Sequence, residues 1–353
     1  MTKKNISFLF PHGAYIPIGG FKVVFEYANR LAVDGWKVRI IYPCTNYRRV
    51  RWKDVLRYIV RFFSKGYRPT WFQLDRRICQ KWVWSLAKYR ETDSSIVVGT
   101  SIDTIITLND YNIPFSQKFA FIQDFENWDM TDKVVFDTYH FQMTKIVVSQ
   151  WLQDLLKKDG VLSILVPNGF DFNFFACNKP IRERNRHQLA YMYHIDKRKG
   201  VDVAFRAFEL VRHKVPGLRI TLFSVYDKPD GLPDFYEFNQ NPNKDMFNKI
   251  YNDAAIFVGS SYVEGWGLTV GEAMQCGCAV ACTDNMGYLE MAKDGMTALV
   301  SPVGDAEALA YNIMRLINDD ELRYRIAENG HQFIQELDIE KSYQKFKKAV
   351  SIK

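Results

Sequence analysis

What this sequence lacks narrows it first. Its six cysteines (Cys44, Cys79, Cys177, Cys276, Cys278 and Cys282) include no Cys-x-x-Cys pair and have no histidine nearby at metal-ligand spacing. That argues against a zinc site and makes Cys276, Cys278 and Cys282 small core residues, at home in a reducing cytosol. No uninterrupted apolar run reaches transmembrane length. The short run behind Lys3 and Lys4 is broken by Pro11, His12, Gly13 and Gly19-Gly20 before a signal-peptide core develops, so the expected location is the cytoplasm. The three-glycine dinucleotide fingerprint is absent, and NAD is not inferred. No internal repeat of fixed period and no low-complexity segment is present.

What is there describes an ordinary globular chain, 47% apolar and 25% charged over 353 residues, with no sign of disorder. That length suggests two domains of roughly 150 to 200 residues, each large enough to bury a core. Residues 6–10 read as a strand, followed by a loop through Gly19-Gly20, an amphipathic helix with Phe21, Val24, Phe25, Ala28, Leu31 and Ala32 on one face, and a strand over 38–42. Strands are expected again at 96–98, 119–122 and 146–148, with a helix over 151–158. A second series starts near Leu189, with helices at 203–211 and 246–252 and strands at 219–223 and 256–258. This alternation builds parallel, doubly wound sheets, so two α/β domains in tandem are expected. Their boundary falls near 165–185, where Pro167, Asn168, Gly169 and Pro180 interrupt the periodicity and the charged run Arg182, Glu183, Arg184, Arg186 follows.

The most informative stretch is Ser260-Ser261-Tyr262-Val263-Glu264-Gly265-Trp266-Gly267-Leu268-Thr269-Val270-Gly271-Glu272-Ala273-Met274, between an apolar run and helical spacing. A glycine-rich strand-to-helix turn presents unpaired N–H groups at a helix start, where the dipole also favours negative charge, so it suits a phosphate or diphosphate. Gly265 and Gly267 allow close backbone approach. Glu264 precedes the turn and can face a bound sugar, whereas Glu272 lies inside the helix, and a carboxylate is a natural partner for a pair of ribose hydroxyls. The plainer alternative is a solvent-facing loop acid and an acid favoured by the helix dipole. The segment His194-Ile195-Asp196-Lys197-Arg198-Lys199-Gly200 supplies positive charge for phosphate oxygens, with Lys197 assigned no role. Gly19-Gly20 allows close approach to a ligand or forms a tight turn. Gln123 or Asp124, in Phe121-Ile122-Gln123-Asp124-Phe125-Glu126-Asn127-Trp128, stands at a strand end where open α/β sheets place functional groups; alternatively Asp124 or Glu126 caps the following loop.

Glu264, seven residues, Glu272, then Ala273-Met274 and Gln275-Cys276-Gly277-Cys278-Ala279-Val280, resembles the donor-site signature of retaining GT-B glycosyltransferases of family 4. The resemblance runs in order along most of the chain. Val166-Pro167-Asn168-Gly169-Phe170-Asp171 and Lys199-Gly200-Val201-Asp202 lie upstream, Glu290 stands where the family usually has Glu, and Asp294-Gly295-Met296-Thr297-Ala298-Leu299-Val300 and Gly304-Asp305-Ala306-Glu307-Ala308-Leu309-Ala310 lie downstream. It implies a GT-B fold, two Rossmann-like domains facing an interdomain cleft: an acceptor-binding domain over 1–165, a nucleotide-sugar-binding domain over 166–335, and a C-terminal helix over 336–353 crossing back, with 340–350 its candidate. It implies transfer of a sugar, with retention, from a UDP-, dTDP- or GDP-linked donor to a glycan or lipid-linked acceptor in bacterial surface-polysaccharide assembly. Glu264 and Asp124 are the candidate catalytic carboxylates. Glu272, Lys199, Gly265, Trp266, Gly267, Leu268, Thr269, Asn168, Gly19, Gly20 and Gln123 are candidate donor contacts. The family commonly has Arg where His194 stands, leaving His194 or Arg198 as second cation. It often has His where Gln123 or Asp124 stands, a variant similar to that of some bacterial rhamnosyltransferases, which points to rhamnose. With no Asp-x-Asp pair, no metal and no cofactor are expected.

The formal charge of +7 is concentrated in Arg48, Arg49, Arg51, Lys53, Arg57, Arg61, Lys65 and Arg68, with Trp52, Val55, Leu56, Ile59, Val60 and Phe63 at helical spacing between them. Such a helix can lie on an anionic membrane or bury its apolar face in the domain core. The base-recognition loop is expected in 224–243. Three other functions are compatible with the composition: a nucleotide-sugar epimerase of the same fold, a basic nucleic-acid-binding protein, and a catalytically dead partner subunit. No recognised nucleic-acid module is present, and nucleic acid is not the expected partner.

Overall fold

The computed structural model describes residues 4–44, 56, 59, 69–89, 95–128 and 130–351. The basic stretch 48–68 lies outside these, apart from Leu56 and Ile59. The chain divides into two units, one formed by Met1–Asn168 with Glu340–Lys353 and the other by Gly169–Ile339. Among the described residues no helix is long and apolar enough to cross a membrane.

The N-terminal unit begins with β1 (Asn5–Leu9), whose Ile6, Phe8 and Leu9 are fully buried, as a central parallel strand covered on both faces requires. Helix α1 (Gly19–Val33) buries Phe21, Val24, Phe25, Ala28, Leu31 and Ala32 on one stripe. Here the structure departs from expectation: Gly19 and Gly20 are not a loop but the first two residues of this helix, because Ile18 already takes the extended N-cap conformation. There follow β2 (Lys37–Pro43), β3 (Cys79–Val83), β4 (Ile96–Gly99), α2 (Ile102–Asn109), β5 (Lys118–Ile122), α3 (Asp132–Tyr139), β6 (Thr144–Val147), α4 (Gln150–Lys158) and β7 (Ile164–Leu165). All pair in parallel, in the order β3-β2-β1-β4-β5-β6-β7. The order reverses between β1 and β4, where an open sheet leaves a crevice at its carboxyl edge.

The second unit contains β8 (Gln188–Met192), α5 (Val201–Lys214), β9 (Arg219–Ser224), β10 (Tyr236–Gln240), α6 (Lys244–Asp253), β11 (Ile256–Gly259), α7 (Leu268–Gln275), β12 (Ala279–Thr283), β13 (Leu299–Ser301), α8 (Ala306–Asn318) and α9 (Asp320–Ile334). Its sheet is again parallel, ordered β10-β9-β8-β11-β12-β13, with the reversal between β8 and β11. The interval 224–243 is not all loop: β10 runs along β9 as an edge strand, with Tyr236 and Phe238 packed on the core and Glu237 exposed between them. Cys276, Cys278 and Cys282 are buried, and burial raises all three thiols, Cys278 to about 12.

The last helix, α10 (Ile339–Ala349), packs in the N-terminal unit from Glu340 onward. Phe346 is fully buried there, stacked on the Tyr27 ring at 4.6 Å and edge-on to the Phe121 ring at 5.6 Å. Arg30 bonds Glu340 at 2.5 Å, while Tyr343 and Lys347 both donate to Asp34. That hydrogen bonding holds the Asp34 carboxyl below its ordinary value, Lys347 contributing most.

Candidate functional site

In the second unit the residues singled out from sequence converge where the strand order reverses. The chain leaving β8 passes His194 and a 3-10 turn at Lys197–Lys199, and the chain leaving β11 passes Ser260 and Ser261 to Glu264 and α7. Gly200 joins the two loops. It sits at φ 61° with a Cβ position 2.0 Å from the Ser260 carbonyl oxygen, so neither conformation nor space admits a side chain. Around it Ser260 Oγ donates to the Lys199 carbonyl at 3.0 Å, and Tyr262 N donates to the Arg198 carbonyl at 2.7 Å. Gly200→Ala should therefore cost about 2 kcal/mol of stability, read as a lower unfolding midpoint.

Across this junction Lys199 Nζ donates to Glu264 Oε1 at 2.7 Å, the two side chains being 23% and 13% exposed. Ser261 Oγ donates to the same carboxylate oxygen at 2.8 Å, and the buried Tyr288 hydroxyl donates to Ser261 Oγ at 3.0 Å. Burial first, and the Glu264 charge second, drive the Tyr288 phenol well above its ordinary range, which keeps it a donor. Ser261 and Tyr288 are the supports that sequence reading missed. Ser261 stands three residues before Glu264 and was visible by spacing; Tyr288 arrives from the far side of β12 and was not.

Gly267 caps α7 at φ 93°, and a Cβ there would meet the Tyr288 ring at 2.5 Å. Leu268 and Thr269 open the helix, half-buried, with N–H groups that no intrahelical carbonyl can satisfy. Gly265 and Trp266 are buried in the turn, and the Trp266 indole N–H has no acceptor. Glu272 sits inside α7, 7% exposed, its Oε2 accepting from the Tyr251 hydroxyl at 3.2 Å.

Of the two candidate second cations, one is neutral. Burial and then Lys199 lower His194 below its ordinary value, so near pH 7 it is uncharged. Its Nδ1 accepts from Asp196 N at 2.9 Å, which leaves Nε2–H to donate to the Tyr226 oxygen at 3.3 Å. Arg198 forks onto Asp196, with Nη2 at 2.5 Å from Oδ2.

In the N-terminal unit, Gly20 packs against the Gln123 amide, whose Nε2 lies 3.2 Å from the glycine's Cβ position. Gln123 Oε1 is buried without a partner, as is Oδ1 of Asn168, itself 3% exposed. Asp124 Oδ1 accepts from the neighbouring Phe125 N at 2.9 Å, and Glu126 Oε2 caps α2 by accepting from Ile102 N at 2.9 Å. Gln123, Asn168 and Trp266 thus each carry a buried polar atom without a hydrogen-bond partner among the described residues.

Residues 178–333 match the family described as glycosyl transferases group 1. Among curated proteins, the capsular polysaccharide biosynthesis glycosyltransferase CapM of Staphylococcus aureus is 26% identical over 206 residues, 54% of this chain and 54% of CapM. The chain spans about half or less of the length of the curated relatives it matches. Among solved structures, sucrose-phosphate synthase from Thermosynechococcus elongatus superposes with a TM-score of 0.76 at 17% identity, covering 98% of each chain. Anabaena Alr3699/HepE in complex with UDP-glucose gives 0.75 at 16%, covering 98% of this chain and 99% of that one. At such identities the structures speak for the fold, and the fold they share is GT-B. The chain thus has two parallel-sheet α/β units in the GT-B fold, and its residues 178–333 are similar to the glycosyl transferases of group 1.

Proposed function

We propose that this protein transfers a sugar from a nucleoside diphosphate donor to a hydroxyl of a glycan or lipid-linked acceptor in bacterial surface-polysaccharide assembly, with retention of configuration. The observation that carries the proposal is the meeting of Lys199, Glu264 and the glycine-headed start of α7 at the strand reversal of the second unit. A diphosphate leaving group needs preorganised donors as its bond to the sugar breaks, and the N–H groups of Gly267, Leu268 and Thr269 with the ammonium of Lys199 are such donors. Lys199 has three N–H donors and spends one on Glu264, so it can serve the carboxylate and a phosphate oxygen together. Glu264, fixed by Lys199 and Ser261, orients the sugar or stabilises positive charge developing at its reacting carbon. Glu272 takes the ribose hydroxyls, and rhamnose is the favoured identity of the sugar. The cations of 48–68 supply attraction to an anionic membrane surface, where a lipid-linked acceptor resides.

The support from similar proteins is what their names carry: CapM acts in capsular polysaccharide biosynthesis, and Alr3699/HepE was solved with UDP-glucose. The test is thermal unfolding with UDP, dTDP, GDP or ADP. One nucleotide should raise the midpoint clearly above the others, since ligand at about 100 times its Kd adds about 2.7 kcal/mol to the native state. No response to any of the four would remove the donor-site reading.

A further inference from the structure

The chain leaving β12 turns a set of buried polar groups onto Ser261, in the loop ahead of Glu264. Thr283 Oγ1 donates to the Ser261 carbonyl at 2.7 Å, and Asn285 Nδ2 donates to the same oxygen at 3.0 Å. Asn285 Oδ1 accepts from Tyr288 N at 3.0 Å, where the 3-10 turn Tyr288–Glu290 begins. Ser261, Thr283, Asn285 and Tyr288 are each 3% exposed or less. The Tyr288 ring packs against glycines at the end of β11 and the head of α7: a Cβ on Gly259 would lie 2.9 Å from it and one on Gly267 2.5 Å. Gly287 backs the Glu264 main chain, its Cβ position 2.3 Å from the Glu264 carbonyl oxygen. The backbone around Glu264 is therefore fixed without the Tyr288 hydroxyl, whose bond to Ser261 Oγ at 3.0 Å serves a side chain. The direction of that bond follows from counting hydrogens. Ser261 has one on its hydroxyl, and a carboxylate only accepts, so it lies on Glu264 Oε1 and Tyr288 gives its own to Ser261. Donors in such a chain polarise one another, which strengthens the bond on the terminal acceptor. Lys199 Nζ also donates to Oε1, so Oε2 is the oxygen left to meet a sugar hydroxyl.

We propose that Tyr288 is a positioning residue for sugar transfer: through Ser261 its hydroxyl pins Oε1 of Glu264 and so sets the angle at which Oε2 faces the donor sugar. The proposal rests on the glycosyl-transfer reading above. Lys199 by itself does not set that angle, because an ammonium on a flexible stem is a point charge with rotatable donors, and the diphosphate claims it as well. When the ammonium shifts toward a phosphate oxygen, the Ser261 bond keeps the carboxylate in place. Placement matters in kinetic terms, since a misplacement of about 1 Å near the reacting atoms can cost about 100-fold in rate. The neighbouring serine is used differently. Ser260 Oγ donates to the Lys199 carbonyl at 3.0 Å and pairs with the Tyr191 hydroxyl at 2.9 Å, which fixes main chain rather than a side chain that meets substrate.

The experiment compares wild type, Tyr288→Phe, Ser261→Ala and the double variant. It measures the Kd of whichever of UDP, dTDP, GDP and ADP stabilises the wild type most, then kcat and KM for release of that nucleotide from its glucose- and rhamnose-linked donors, with extracted lipid-linked glycans as acceptors. Ser261→Ala removes a hydrogen bond to a charged group and should lose about 10- to 100-fold in kcat. Tyr288→Phe keeps the ring and every backbone anchor and should lose about 10-fold in kcat, with nucleotide Kd and donor KM within about threefold of wild type in both variants. The double variant should transfer within about twofold of Ser261→Ala, because the hydroxyl acts through that serine. A structural role for the hydroxyl would instead prevent folding, weaken nucleotide binding together with kcat, or add its loss to that of Ser261→Ala. Each of these results overturns the assignment, as does transfer by Tyr288→Phe within about twofold of wild type, and each leaves the transferase reading standing. Wild type that neither binds one of the four nucleotides nor releases it from a donor overturns the transferase reading and this proposal with it.

Discussion

Glu264→Gln should reduce sugar transfer about 10³-fold while leaving the Kd for the nucleoside diphosphate within about threefold of wild type. The substitution keeps the shape and one acceptor oxygen, so Ser261 and Lys199 retain a partner, but it removes the negative charge those groups hold in place. A charge that orients the sugar or meets developing positive charge acts more strongly in the transition state than in the ground state, so its loss appears in kcat rather than in nucleotide binding. Titration with nucleotide and initial rates of nucleotide release separate the two. Unchanged turnover would remove Glu264 from the mechanism. Weakened binding at unchanged kcat would recast it as a donor anchor.

Arg184→Leu should destabilise the second unit by about 3–5 kcal/mol, enough to unfold it at moderate denaturant. In the sequence Arg184 is one cation in the charged run after Pro180; in the structure it is 4% exposed. Its Nη1 donates to the carbonyls of Tyr251 at 3.3 Å and Ala254 at 3.1 Å, and its Nη2 to those of Lys179 at 2.9 Å and Cys276 at 2.5 Å. Three of these carbonyls belong to the C-terminal ends of α6 and α7, the negative ends of helix dipoles. Leucine leaves them buried without donors, each a desolvated acceptor. Denaturant unfolding monitored by tryptophan fluorescence measures the loss, and a change under about 1 kcal/mol would show that water replaces the guanidinium.

Much of the fold was legible because it depends on local pattern. The expected strands at 96–98 and 256–258 and the helix at 203–211 lie within β4 (Ile96–Gly99), β11 (Ile256–Gly259) and α5 (Val201–Lys214). Buried parallel strands announce themselves as unbroken apolar runs, and α1 by its 3.6-residue stripe. Short edge elements were less legible. β3 has only half-buried and exposed positions, and β10 lies among Pro, Asp and Asn residues that read as loop. Their strand character comes from a neighbour's hydrogen-bonding edge, which no local pattern encodes.

The candidate site divides along the same line. Glycines 265 and 267 with the helical spacing behind them dictate a strand-turn-helix with open N–H groups wherever that segment packs, so local sequence alone decided the phosphate-suited turn. Which side chains surround it was decided only by tertiary structure. Lys199 and Glu264 are 65 residues apart and meet because β8 and β11 are neighbours in the sheet while β9 and β10 lie to the other side. The same packing makes His194, one of the two alternatives for a second cation, neutral, and it buries Arg184. Protonation and partner choice depend on desolvation and on charges brought from distant strands, and those exist only once the sheets have formed.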